Sequence, residues 1–382
     1  MSENNFKAHN EEVKVVWEAF RAGRPIRVPV TLGVNPRFLI LDPKINRRDI
    51  DFQTYSTDPQ VMLRSQVEFK DWVRHNLPQD QEMGLPQDGW SVSVDLQNYY
   101  EASWLGCPLQ FRKGEVPDIL PILSDNKKNL LFDRGIPDPL YAGSMRTQME
   151  FFEYMNERKK DFTYKGLPIK AVGATSGTDG PFTLAASLRG ATNLCMDLYL
   201  DPNYVHKLLS FLTEAIIVRI RAWRKFLGKP ERSESFGLAD DSVQLISLGQ
   251  YKEFVLPCHK RLIQALAGKG PHSIHLCGDA SRHFKTIRDE LNVYSFDTGF
   301  PIDLGEMRRE LGPEVRLNGG PHIELLRQGP PEAIRREVVR ILRSGVMQGG
   351  KFVLREANNL APRTPLEHLQ VMYNTAKEYG RY

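Results

Sequence analysis

The stretch Ser273–Phe296, SIHLCGDASRHFKTIRDELNVYSF, reads as a strand, a helix and a second strand. Ser273–Cys277 and Val293–Phe296 are short β-prone runs, and Ser281–Leu291 between them spaces its apolar residues at the helical period. Strands joined by a crossover helix run parallel, and a parallel sheet needs cover on both faces. The alternation continues in both directions. Further candidate strands are Arg27–Thr31, Trp90–Asp95, Ile169–Ala174, Ser233–Leu238, Glu314–Leu317 and Lys351–Arg355. Helical periodicity marks Pro202–Phe226, Leu248–Ala267, Asp303–Leu311 and Pro331–Ser344.

This many strand–helix units favour a closed (β/α)8 TIM barrel over an open doubly wound sheet. An open sheet would carry a Gly-rich phosphate turn after its first strand, and VPVTLGVNP is not one. Residues 1–26 read as an N-terminal helical extension, with Glu11–Ala22 amphipathic and closed by Gly23 and Pro25. Residues 96–168, rich in aromatics, Pro and Gly, read as an insertion forming a hairpin and lid beside the mouth. The whole chain, 1–382, is expected to be one barrel domain.

With 382 residues, 41% hydrophobic and 26% charged, the chain can bury a large core. The net charge of +4 is spread without blocks, which argues against nucleic acid as a partner. Arg219, Arg221, Arg224 and Lys225 read as a solvated helix face. No apolar run is long enough to span a membrane. The N-terminus has neither the basic start nor the apolar core of a secretion signal. Cys107, Cys195, Cys258 and Cys277 lie too far apart for a disulfide framework, and Cys107 reads as structural. A cytoplasmic protein is expected.

Barrel chemistry gathers at the C-terminal ends of the strands. There the sequence puts Thr175 and Ser176, Asp240 and Asp241, His275 and Cys277, Asp297, Asn318, then Glu356, Asn358 and Asn359. His275 and Cys277 are two residues apart, so both point into the barrel. Together they suit a metal, or else a buried imidazole and a small apolar thiol in the core. Of the two aspartates, one is expected to cap the following helix and the other to face the mouth as an acid, base or substrate anchor. The Gly-rich GATSGTDGPF offers a tight turn or backbone N–H groups for an anion.

Several segments resemble the uroporphyrinogen decarboxylase superfamily. They are GPFTLAASLRGATNLCMDLYLDPNYVHKLLSFLTEAI, FGLADDSVQLISLGQYKEFVLPCHKRLIQAL, HLCGD, ELGPEVRLNGGPHIELL and APRTPLEHLQVM, in that order. The resemblance implies a (β/α)8 barrel. Its decarboxylase branch takes a substrate with eight carboxylates through an arginine-bearing RQAGRY-type motif. Here that region reads GRPIRVPVTLGVNPRFLI, with only Arg24, Arg27 and Arg37 nearby. The second branch, corrinoid-dependent methyltransferases, is similar in the HxCG motif.

In that branch the His and Cys bind zinc with a second Cys from the last strand, and a corrinoid protein is the partner. His275 and Cys277 match, whereas ANNLAP (Ala357–Pro362) puts Asn358 where the second Cys would stand. Glu356 then completes a set with His275 and Cys277, or Asp241 does so, or no catalytic zinc binds. A carboxylate in the set makes the site harder and suits a methoxylated aromatic donor better than a thiol acceptor.

The expected function is therefore methyl transfer between a small methylated substrate and a corrinoid. Asp240 and Asp241 would be catalytic, and Asn318, Asn358 and Asp297 would contact substrate. The chain has no DxHxxG-type cobalamin motif, so the corrinoid would arrive on a partner protein or free. The alternatives are a cofactor-independent decarboxylase of uroporphyrinogen or a related polycarboxylate, and a non-catalytic barrel that binds a corrinoid or other small molecule.

Overall fold

A computed structural model describes residues 3–382 and forms a TIM barrel. Its strands are β1 (Trp90–Ser93), β2 (Leu109–Gln110), β3 (Asp118–Ile119), β4 (Thr163–Tyr164), β5 (Leu167–Gly173), β6 (Gly237–Ala239), β7 (His272–Leu276), β8 (Val293–Thr298), β9 (Arg316–Gly319) and β10 (Phe352–Leu354). β6 to β10 lie side by side in chain order, all parallel. β10 bridges on to Val30, and β1 pairs with β5. β2–β3 is a separate antiparallel hairpin, and β4 folds back on β5.

The first barrel segment differs from the expected Arg27–Thr31 strand, since it makes only isolated bridges at Arg27 and Val30. Side chains replace the missing ladder on its other edge. Asp80 accepts from the Val30 N–H at 2.7 Å and Gln79 from the Leu32 N–H at 2.9 Å. Across the gap, Gln66 accepts from the Ser93 N–H at 3.0 Å. Arg27 is drawn inward by the same device, bonded twice to Asp80 and once to Glu12. Buried backbone groups must be paired somewhere, and here buried amides and a carboxylate do it.

β7 shows how local pattern becomes barrel. Ile274 and Leu276 are buried under the outer helices, while Ser273 and His275 alternate to the barrel interior. The following helix, Ser281–Leu291, buries His283, Phe284, Ile287 and Leu291 as one stripe. Asn292 ends it at φ 53°, a left-handed conformation Asn tolerates. The Pro202–Phe226 helix has the bounds its periodicity predicts, with Asp201 accepting from the Tyr204 N–H at its start. The N-terminal helix starts earlier than expected and runs Glu3–Arg21.

Other elements depart from the sequence reading. Leu248–Ala267 is not one regular helix: Leu248–Gln250 is α, Tyr251–Val255 widens into a π turn, and Leu256–Leu266 is α again. Pro257 has no N–H to give the preceding turn. Pro331–Ser344 stays α-helical only to Ile341, then widens toward Gly345 at φ 91°. The fourth barrel strand is Gly237–Ala239, and Ser233 makes only a bridge to Ala267. Residues 96–168 contain the β2–β3 hairpin and also Gly143–Arg158, the crossover helix from β1 to β5. That helix buries Ser144 and Gln148 beside Met145, Met149 and Met155, which blurs its apolar period. Arg219, read as solvated, is fully buried.

Candidate active site

The C-terminal ends of the strands open into a cavity of about 680 Å³. Asp241, His275, Cys277, Asp179, Arg37 and Asn358 line it, and the chain before and within β3, from Val116 to Ile119, forms part of its wall. His275 and Cys277 leave β7 on the same side. The His275 Nε2 is 3.0 Å from Cys277 Sγ and 3.9 Å from Asp241 Oδ1. One donor atom from each of the three residues lies within 4.8 Å of the others. The Asp241 Oδ1 also accepts from the Cys277 N–H at 2.7 Å, which ties the end of β6 to the end of β7.

The other imidazole nitrogen, Nδ1, is bonded to Asp297 Oδ2 at 2.8 Å. A carboxylate behind the imidazole fixes the ring and turns the far nitrogen toward Cys277 and Asp241, the usual support of a metal-binding histidine. Burial works against charge on His275, but the bonds to Asp297 and Cys277 outweigh it and hold the group up at about 10. Asp297, expected to meet substrate, thus sits behind the site. It also takes a 2.8 Å ion pair from Arg355.

Glu356 does not join this donor group. It is fully buried, accepts from the Gly33 N–H at 2.8 Å and pairs with Arg355 at 2.9 Å. Its Oε2 has no hydrogen-bond partner among the described residues. Burial pushes its carboxyl up to about 7, with Arg355 pulling the other way. The carboxylate beside His275 and Cys277 is therefore Asp241, and the expectation for Glu356 is corrected to a support of the last strand. Arg355 also reaches the Asn358 carbonyl at 2.9 Å and helps hold Asn358 at φ 138°, a conformation that favours glycine.

Asp240 and Asp241, adjacent in sequence, have separate surroundings. Asp240 is fully buried and accepts from the Phe182 N–H at 3.1 Å, the Thr183 N–H at 2.6 Å and the Thr183 hydroxyl at 2.8 Å. It also bonds His259 Nε2 at 2.9 Å. It therefore caps Pro181–Arg189, a helix earlier in the chain, and neither aspartate caps the turn that follows them as the sequence suggested. Gly180 makes this approach possible: its φ is 88°, and a Cβ there would stand 2.1 Å from the Ala239 carbonyl oxygen. Asn318, expected at the substrate, spends both ends of its amide inside the barrel, on the Phe296 carbonyl and on Arg316.

Four charged residues were missed by the sequence reading. Arg37 lines the cavity, its Nε bonded to Gln97, which in turn bonds the half-buried Asp95 just beyond β1. Asp179 lies in the GTDGPF turn after β5, where the strand-end rule could have found it. Beneath it Glu101 and Arg219 form a buried ion pair at 2.6 Å. Neither showed a local signal, because Glu101 reads as lid packing and Arg219 as helix surface. Cys107 is buried, and burial pushes its thiol up to about 12.

A TIM barrel with a thiol, an imidazole and a carboxylate gathered at its mouth has the architecture of a barrel enzyme. The chain belongs to the uroporphyrinogen decarboxylase (URO-D) family, which its residues 86–379 match. It is 27% identical over 288 residues to a methylated-thiol–coenzyme M methyltransferase of Methanosarcina mazei, covering 73% of this chain and 70% of the relative. It is 24% identical to a uroporphyrinogen decarboxylase of Anaeromyxobacter sp., covering 72% of this chain and 77% of that one. The solved structure of a methyltransferase from Methanosarcina mazei shares the fold, with TM-score 0.64 and 17% identity over 96% of this chain and 98% of the other. Among the described residues no helix is long and apolar enough to cross a membrane.

Proposed function

We propose that this protein transfers a methyl group from a small methylated donor, such as a methoxylated aromatic, to a corrinoid on a partner protein. The observation that carries the reading is the set of Asp241, His275 and Cys277 converging on one wall of the mouth cavity. The set fits zinc: the far His275 nitrogen faces the thiol, and tetrahedral ligands need to lie roughly 3.5 Å apart, close to the spacing found. Zinc held there would supply Lewis-acid polarisation of the donor's heteroatom. Asp297 would keep the His275 ring in position, and Asn358 and Arg37 would bound the space left for substrate. One carboxylate among the ligands suits a hard oxygen donor better than a thiol.

The test is metal content of wild type and His275→Ala, followed by incubation of a methoxyarene panel with cob(I)alamin. About one zinc per chain, lost in the variant, and appearance of the methylcobalamin spectrum support the reading. Zinc-free wild-type protein that methylates no cob(I)alamin would overturn it. CO₂ release from uroporphyrinogen without metal would instead favour the decarboxylase, the activity named for several relatives. Against that activity, Arg37 is the one arginine lining the cavity among the described residues, a weak counterpart for a substrate with many carboxylates. Tight corrinoid binding with no turnover would indicate a binding protein.

A further inference from the structure

Asp179 is held at the cavity wall by its backbone, and its side chain is left uncommitted. The Asp179 N–H donates to Glu101 Oε2 at 2.8 Å, and the Thr178 hydroxyl donates to the same oxygen at 2.9 Å. Glu101 is anchored by Arg219, both groups being essentially inaccessible to water. Among the described residues the Asp179 carboxyl makes no hydrogen bond or ion pair, and it lines the cavity that holds Asp241, His275 and Cys277. A half-buried carboxyl with no partner, beside a pocket containing possible metal donors, is poised to act on whatever enters.

Its surroundings decide in which form it waits. Glu101 faces it from the Tyr100–Trp104 helix, and Asp240 and Asp241 face it from the end of β6. Arg219, from Pro202–Phe226, is the opposing charge, but Glu101 already engages it; Arg37 adds a second, weaker one. Burial, then the charges of Glu101 and Asp241, push the Asp179 carboxyl up to about 8. Burial and Glu101 act in this direction whether or not Asp241 is engaged by a metal, and both favour the protonated acid.

We propose that Asp179 is the general acid of methyl transfer and that it selects methyl ethers, whose oxygen leaving group needs a proton, as donors. This inference rests on the methyl-transfer reading above. In the step, the donor's methyl C–O bond breaks and its electron pair stays on oxygen. The methyl carbon bonds to the cobalt of a reduced, cob(I) corrinoid, which supplies the two electrons of the new bond. The Asp179 proton goes to the departing oxygen, giving a phenol and the Asp179 carboxylate, which regains a proton from solvent through the mouth. A phenol, with a pKa near 10, gains more from this help than a thiol near 8.5.

The experiment compares wild type with Asp179→Asn on two aryl methyl ethers, one releasing an unactivated phenol and one releasing a nitrophenol that leaves readily as its anion. The variant should slow the unactivated ether about 100-fold or more and the nitrophenyl ether less than about tenfold. The wild-type rate should fall on the alkaline side as Asp179 loses its proton, and that fall should vanish in the variant. Equal loss on both ethers with an unchanged pH profile would overturn the inference and leave methyl transfer standing. A second readout needs no turnover. The infrared difference between zinc-free wild type and zinc-free variant at pH 7 should contain a protonated carboxyl band that disappears near pH 8. A carboxyl already ionised at pH 7 overturns the inference whatever the activity. The band without methyl transfer from any donor overturns the reading of the preceding section, and the general-acid role with it.

Discussion

Asp240→Ala and Asp241→Ala remove adjacent carboxylates and should produce opposite defects. Asp240 is fully buried and takes four hydrogen bonds, two of them from backbone N–H groups at the start of Pro181–Arg189. The Thr183 hydroxyl also accepts from the Ser242 N–H, and His259 keeps its bond to Tyr251, so both retain a partner. The Phe182 and Thr183 N–H groups do not. Leaving these two buried donors unsatisfied is the loss of the helix cap, and at about 1–3 kcal/mol each it costs about 2–6 kcal/mol. Relief of one buried charge offsets part of this, so the net loss is about 2–5 kcal/mol. Asp241 is 38% exposed and accepts one bond, from the Cys277 N–H. Its removal should cost about 1 kcal/mol or less. Urea unfolding followed by fluorescence, with zinc measured on the folded protein, separates the two. Asp240→Ala should be much the less stable, and the molecules still folded should retain zinc. Asp241→Ala should be close to wild type in stability and bind zinc more weakly. An Asp240→Ala protein within about 1 kcal/mol of wild type would refute the assignment of that carboxylate as a buried cap.

Asp297→Asn removes the anion behind His275 and should weaken zinc binding about 10–100-fold in a chelator competition; unchanged affinity would show that the ring is oriented by other contacts. Glu356 has its folded value raised from 4.5 to about 7, so its contribution to stability is complete below 4.5 and is lost as pH rises through 7. Glu356→Gln should therefore gain on wild type by about 2–3 kcal/mol between pH 4.5 and 8, and parallel stability–pH curves would contradict the raised value. Gly180→Ala should destabilise far more than Gly190→Ala. Both positions have positive φ, at a backbone cost of about 1–2 kcal/mol, but only at Gly180 would the new Cβ collide with the chain, at the Ala239 carbonyl. Similar melting temperatures for the two variants would argue against that close approach.

The residues legible in sequence were those whose role follows from their own neighbours in the chain. Period-2 alternation in SIHLC turns Ser273 and His275 inward and Ile274 and Leu276 outward, and a strand can hardly do otherwise. The long amphipathic run after Asp201 fixes Pro202–Phe226, and the strand–helix succession fixes a parallel barrel with its chemistry at one end. Residue type adds that an imidazole and a thiol face the same interior. Which carboxylate stands beside His275 and Cys277 was not a local matter. Glu356 sits two residues before Asn358, where the family resemblance pointed, yet Arg355 and the Gly33 N–H claim it. Asp241 reaches Cys277 across 36 positions because β6 and β7 are neighbours in the sheet.

Tertiary structure alone also separated the twin aspartates and assembled the Asp179, Glu101 and Arg219 group, whose central ion pair joins residues 118 positions apart. The state of a carboxyl depends on how deeply it is buried and which charges face it, and both are set by chain segments that meet only on folding. Sequence determined which side chains the barrel has at its mouth. Folding decided which of them are held as caps and struts and which are left free to act.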